Sequence, residues 1–203
     1  MTTDWAAFSD GQLWAHAARQ LDGEAFGQLF ERHANAVYTY CFRRTGSWEA
    51  AEDLTSVVFL EAWRKRRDVR LVGESVLPWL LAVAGNAMRN AERSVRRHRR
   101  LLAKLPQPET VPDIADEVAK RADEEHAMRF ILGEMSSLTD AEREVLALCD
   151  WAGLSYAETA VALGIPAGTV RSRLARARQL LRERAAQAAP IVTSVMASKE
   201  DQA

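Results

Sequence analysis

"GLSYAETAVALGIPAGTVRSRLARARQLL", residues 153–181, decides how this chain folds. Ser155 is a cap residue, and an apolar period follows it as far as Leu163. Gly164 offers the left-handed conformation that ends a helix at little cost, and Pro166 fixes the backbone for the start of the next. Ala160, Gly164 and Val170 stand four and six residues apart. They supply a small residue where helices cross, a turn glycine and an apolar anchor. That spacing predicts a helix-turn-helix, the motif that lays its second helix in the major groove of DNA.

At about 100° per residue, Val170, Leu174, Ala177 and Leu181 share the core side of that second helix. Ser172, Ala175, Arg176 and Gln179 point the other way, with Arg171 and Arg182 on the flank and Arg173 and Arg178 nearer the core edge. The early outward residues Arg171, Ser172 and Arg176 are the candidates for base edges, because the N-terminal part of a recognition helix enters deepest. Arginine offers two donors to guanine O6 and N7. Thr169 and the first amides of the helix suit a phosphate. Arg173 and Arg178 are expected on phosphate or against acidic neighbours.

Upstream the pattern is helical throughout, so the expected fold class is all-α. Phe26, Leu29, Phe30, His33, Val37, Tyr40 and Cys41 recur at helical spacing after Asp22, a candidate cap. Ser9 and Asp10 are candidate caps for an earlier helix with Leu13, Trp14, Ala17 and Leu21 inward. Ser47 is placed to cap a helix with Ala51, Leu54, Val58 and Ala62 on one stripe, which Phe59 and Trp63 widen beyond the needs of one partner helix. "DVRLVGESVL", residues 68–77, breaks the period before Pro78 opens a long helix, apolar early and basic late.

The chain has 203 residues, 48% hydrophobic and 27% charged, with a net charge of −1. A nucleic-acid site must therefore be a local patch. Residues 101–137 carry 4 Lys and Arg against 8 Asp and Glu, with three prolines between Leu105 and Pro112. This predicts helical domains over 1–104 and 123–186, an acidic linker over 105–122 and a flexible tail over 187–203. No apolar run is long enough to span a bilayer, and MTTDWAAFSD lacks the basic and apolar regions of a secretory signal, so a cytoplasmic protein without membrane insertion is expected. The two cysteines and four histidines show no metal-ligand spacing. Neither a metal nor a cofactor is implied.

The residues 138–182, "LTDAEREVLALCDWAGLSYAETAVALGIPAGTVRSRLARARQLLR", resemble region 4 of extracytoplasmic-function (ECF) RNA polymerase sigma factors, with "GTVRSRLARAR" the most specific motif. The N-terminal half, from "DGEAFGQLFERHANAVYTYCFRR" through "WLLAVAGNAMRNAERSVRR", is similar to region 2. This resemblance implies core RNA polymerase and promoter DNA as partners, with an anti-sigma factor as a further possible one. It puts Asp53, Leu54, Phe59 and Trp63 on a polymerase-docking surface. It puts Thr169, Arg171, Ser172, Arg173, Arg176 and Arg178 on the −35 duplex. On the −10 element and its backbone it puts Arg70, Leu71, Val72, Ser75, Val76, Asn86, Arg89, Arg93, Arg96 and Arg97. The loop 68–77 would capture a base flipped from the non-template strand. Three departures from the family pattern stand out: Ser56-Val57 replaces the usual Gln-Glu, and Gly85 and Asn90 replace Arg and Asp.

Two other readings compete. A helix-turn-helix regulator that never joins polymerase explains residues 138–185 and leaves the N-terminal domain idle. An enzyme using Glu49, Glu52 and Asp53 lacks a histidine at ligand spacing, and those carboxylates read more simply as charges at a helix N-terminus.

Overall fold

A computed structural model describes residues 5–20, 23–71, 73–102 and 116–200, with side chains described except at 20, 94–102, 116–119 and 187–200. Eight α-helices are described: α1 Asp10–Gln20, α2 Gly23–Thr45, α3 Trp48–Lys65, α4 Leu77–Leu102, α5 Asp116–Glu134, α6 Asp140–Leu146, α7 Tyr156–Leu163 and α8 Ala167–Glu200. No strand is present among the described residues. The fold is all-α.

Side chains satisfy free amides at the heads of α1 and α3. Ser9 and Gln12 exchange hydrogen bonds at the head of α1, Ser9 N to Gln12 Oε1 at 2.8 Å and Gln12 N to Ser9 Oγ at 3.3 Å. Ser47 caps α3 by accepting from Ala50 N at 3.3 Å. The expected cap Asp22 lies outside the described residues. α2 packs on α1, α3 and α4, and buries Leu29, Val37, Tyr40 and Cys41. From α3 the core takes Ala51, Leu54, Val58, Phe59 and Ala62. From α4 it takes Leu80, Leu81, Ala84 and Met88. Burying one such aliphatic side chain is worth roughly 1.5–3 kcal/mol.

α5 begins at Asp116, inside the stretch expected to be linker over 105–122. The acidic run there is also rich in Ala, Glu, Lys and Arg, which are strong helix formers, so its charge did not mean an absence of structure. The rest of that stretch, 105–115, lies outside the described residues. At the other end α8 continues to Glu200, beyond the expected domain boundary at 186.

The second domain closes on its own core of Met135, Leu138, Val145, Leu146, Val170, Leu174 and Ala177. α6 and α7 both open with a reciprocal capping box, Thr139 with Glu142 and Ser155 with Glu158. After Leu146 the helix widens into a π turn over Ala147–Trp151, in which Ala152 N reaches Ala147 O at 3.0 Å. The two domains share a seam: Met128, Ala147, Leu148 and Leu154 join the apolar cluster of the first domain. Across it Glu125 accepts from Trp48 N at 2.9 Å, an anion seated on the N-terminus of α3.

Candidate nucleic-acid interface

The turn between α7 and α8 is built as its sequence requires. Gly164 closes α7 at φ 63° and ψ 35°, a left-handed pair that a side chain would resist. Pro166 sits at the cap of α8, where its carbonyl accepts from Thr169 N at 2.9 Å and Val170 N at 3.2 Å. Val170, Leu174 and Ala177 are buried and Leu181 is half-buried, which fixes the rotation of α8. Arg171, Ser172, Ala175, Arg176 and Gln179 consequently face solvent, while Thr169 and Arg173 are half-buried.

The arginines on this helix differ in how they are held. The Arg176 side chain is 75% exposed and touches Glu142 through Nε at 3.2 Å. Glu142 is itself committed to the capping box, with Oε2 accepting from Thr139 N at 2.9 Å and Thr139 Oγ1 at 2.8 Å. Those bonds hold its carboxyl below the ordinary range, with Arg176 and Arg173 contributing charge. The Arg171 guanidinium lies 6.0 Å from the Tyr156 ring centroid. Ser172 Oγ donates to Thr169 O at 3.1 Å. Arg178 pairs with Asp150 of the π turn, so its guanidinium belongs to the scaffold of the domain.

The second cluster lies in the first domain. Arg89 is half-buried on α4 and ion-paired to Glu144 of α6, and its Nη2 donates to Asn86 Oδ1 at 2.7 Å. Asn86 and Arg93 are exposed. The side chains of Arg96 and Arg97 lie outside the described residues, as does Val72. In the loop after α3, Arg70 is exposed and Leu71 packs against the core cluster. Two loop residues, Ser75 and Val76, turn inward toward Asp10. Val76 is buried at 1% exposure, and its amide donates to Asp10 Oδ2 at 3.0 Å. Ser75 Oγ donates to the same oxygen at 3.1 Å. Asp10, whose carboxylate α1 buries, thus takes the Ser75 hydroxyl and the Val76 amide as donors.

Asp10 also receives Arg32 Nη1 at 3.2 Å and lies 2.6 Å from His33 Nε2. Burial alone would raise its pKa, but the Val76 amide, the charge and hydrogen bond of His33, and Ser75 together leave it below the ordinary carboxylate value. Trp14 Nε1 donates to Val69 O at 3.1 Å. Thus α1 anchors both ends of the loop. At the base of α3 Arg66 stacks on Trp63, 3.6 Å from the ring centroid, and donates to Ala17 O at 3.0 Å.

The expected docking residues divide between surface and core. Asp53 is exposed, whereas Leu54 and Phe59 are buried. Trp63 is half-buried, held by Arg66 and by Phe26 at 5.1 Å between centroids. What α3 offers to solvent instead is Val57, 49% exposed, and Leu60, 68% exposed, beside Phe30 of α2 at 45%. Phe26, Phe30, Phe59, Leu60 and Trp63 line a shallow apolar groove of about 580 Å³. The i,i+3 pair Val57 and Leu60 was legible in the sequence as apolar residues off the core stripe.

Residues 29–104 match the model of Sigma-70 region 2, and residues 131–181 match that of Sigma-70, region 4. The ECF RNA polymerase sigma factor SigE of Mycolicibacterium smegmatis is 31% identical over 160 residues, 78% of this chain, although the chain spans only 61% of the length of that relative. The ECF RNA polymerase sigma factor SigL of Mycobacterium tuberculosis is 32% identical over 159 residues, 76% of this chain and 85% of SigL. Among solved structures, CnrH in complex with the cytosolic domain of CnrY superposes with a TM-score of 0.61 at 28% identity, covering 86% of this chain and 95% of that one. No helix among the described residues is long and apolar enough to cross a membrane. With both conserved regions matched in order, and a relative covered over most of its length, the chain belongs to the ECF RNA polymerase sigma factors.

Proposed function

We propose that this sigma factor joins core RNA polymerase and directs initiation by reading a −35 duplex with α8 and opening a −10 element on α4 and the loop before it. The observation that carries the reading is the phase of α8. Its core stripe leaves Arg171, Ser172 and Arg176 together on the outward face of the first three turns, where side chains reach base edges. Arg89 and Arg93 would follow the sugar-phosphate backbone, a contact that weakens with salt. The exposed apolar surface of Val57, Leu60 and Phe30, with Asp53 beside it, would dock on polymerase. Sigma factors act as DNA-binding initiation factors, and no catalytic role is assigned to Glu49, Glu52 or Asp53.

The regulator reading has little support, since it leaves region 2 without a task. An anti-sigma partner is also proposed, because CnrH was solved bound to CnrY. Transcription reconstituted with core polymerase and a promoter library tests the proposal. Initiation at a defined subset of promoters is expected; a chain that binds duplex but never directs core polymerase would overturn it.

A further inference from the structure

The seam between the domains holds an ion pair that passes close over a residue without a side chain. Glu144 of α6 lies over α4, where its carboxylate pairs with Arg89 Nη1. A Cβ on Gly85 would stand 2.6 Å from Glu144 Oε1. The glycine thus leaves the space that the carboxylate occupies beside the arginine. Asn86 completes the notch by accepting from Arg89 Nη2, which fixes the plane of the guanidinium. The Glu144 side chain keeps 15% of its exposure, so water screens the pair only in part.

We infer that Gly85, Asn86 and Arg89 form an oxyanion notch on α4, filled by Glu144 while the domains are closed and by a DNA phosphodiester once they part. This rests on the reading of α4 as a DNA-binding helix. Carboxylate and phosphate present the same planar pair of acceptors to an arginine, so the two compete for one guanidinium.

The rest of the seam is suited to opening. Arg43 Nη1 donates to the Trp151 carbonyl at 3.0 Å. On α2 the Tyr40 hydroxyl and Arg44 Nη1 are buried without a hydrogen-bond partner among the described residues, a cost to the fold that buries them. A polar cleft of about 300 Å³ runs through the seam, lined in part by Arg44, Asp140, Arg143 and Trp151. Promoter geometry requires separation. The −35 and −10 elements lie roughly 25 base pairs apart, about 85 Å at 3.4 Å per pair, whereas α4 here packs directly against α7 of the helix-turn-helix. Closed, the chain cannot engage both.

Two variants test the notch. Glu144→Gln removes the competing charge, and Gly85→Ala displaces the carboxylate without changing any charge. Because the displaced atom ends a flexible side chain and alanine favours helix, Gly85→Ala keeps α4 intact. Glu183→Gln, on an exposed site of α8, controls for net charge. Small-angle scattering of the free chain measures separation, and anisotropy with a mixed-sequence single strand measures affinity. Both seam variants are expected to enlarge the particle; Glu144→Gln should also tighten strand binding about five- to tenfold, whereas Gly85→Ala, which narrows the notch itself, should not, and the control changes neither. Unchanged scattering in both variants overturns the latch. Opening of the Glu144→Gln chain without tighter binding, while its α4 still crosslinks to promoter DNA in the holoenzyme, overturns the shared phosphate site. Absence of that crosslink overturns the reading of α4 itself.

Discussion

Arg178 grips Asp150 with two hydrogen bonds, Nε to Oδ2 at 3.1 Å and Nη2 to Oδ1 at 2.5 Å, and so ties α8 to the π turn of its own domain. These bonds hold the guanidinium above its ordinary pKa, and they orient it away from any role as a free base reader. Arg171 and Arg176 have no such bidentate commitment. Holoenzyme tested on promoters randomised at −35 should separate the two kinds. Arg171→Ala and Arg176→Ala are each expected to cost about 1–3 kcal/mol at particular base pairs, relaxing preference there. Arg178→Ala should weaken binding evenly across sequences. A position-specific loss from Arg178→Ala would mean that the Asp150 pair breaks on DNA.

The docking surface yields a second expectation, because exposure separates fold from function along one helix. Val57→Lys with Leu60→Lys should leave thermal stability within about 0.5 kcal/mol, as surface substitutions do. The same pair should abolish co-purification with core polymerase. Phe59→Ala should instead destabilise the first domain by about 3–5 kcal/mol, since its ring is buried. Retention of core binding by the double lysine variant would move the docking site elsewhere.

Asp10 makes stability depend on pH in a fixed direction. A carboxylate whose pKa is lower in the folded chain than in the unfolded one stabilises the fold above its unfolded value, near 3.9. That contribution is lost as pH falls through the lower, folded value. Asp10→Asn should therefore cost about 1–3 kcal/mol at pH 7, through lost charge-assisted bonds to Arg32, His33, Ser75 and Val76. The gap between variant and parent in chemical denaturation should shrink below about pH 4. A gap that stayed constant to pH 2 would show that Asp10 acts by packing alone.

What the sequence made legible follows from periodicity. The helix-turn-helix could be placed residue by residue, because Ser155, Gly164 and Pro166 each act on the backbone within one or two residues of themselves. The phase of α8 followed from Val170, Leu174 and Ala177 on the same local grounds. The inward turn of Ser75 and Val76 was hidden, since their partner Asp10 lies 65 and 66 residues away and its burial depends on how α1 packs. A comparable separation, 55 residues between Arg89 and Glu144, hid the seam. Nothing local to Gly85 signals Glu144, and only the close approach of α6 gives the missing Cβ a meaning. The burial of the expected docking residues Leu54 and Phe59 was hidden for a related reason: surplus apolar residues on α3 face two helices, and the sequence does not show how many neighbours a stripe will meet.

The loop after α3 can now be divided into anchor and tip. Trp14 holds it at the Val69 carbonyl, and Asp10 holds it at Ser75 and Val76. Leu71 packs inward, whereas Arg70, Gly73 and Glu74 are exposed between the anchors. Gly73 takes φ 100°, a conformation that side chains resist, so the tip turns sharply there. Rigid ends with a free tip suit a loop that selects one unstacked base, a step costing a few kcal/mol that a fitted contact must offset. Exchanging residues 70–74 for the tip of another ECF sigma factor, with Ser75 and Val76 kept, should transfer its −10 preference and leave −35 preference unchanged. Exchanging Ser75 and Val76 as well should instead lower stability, because Asp10 would lose two donors. The assay is transcription from libraries randomised separately at the two elements. If the tip exchange gives a stable, core-binding protein with the parental −10 preference, base selection resides on α4, with Asn86 and Arg93 the nearest exposed candidates.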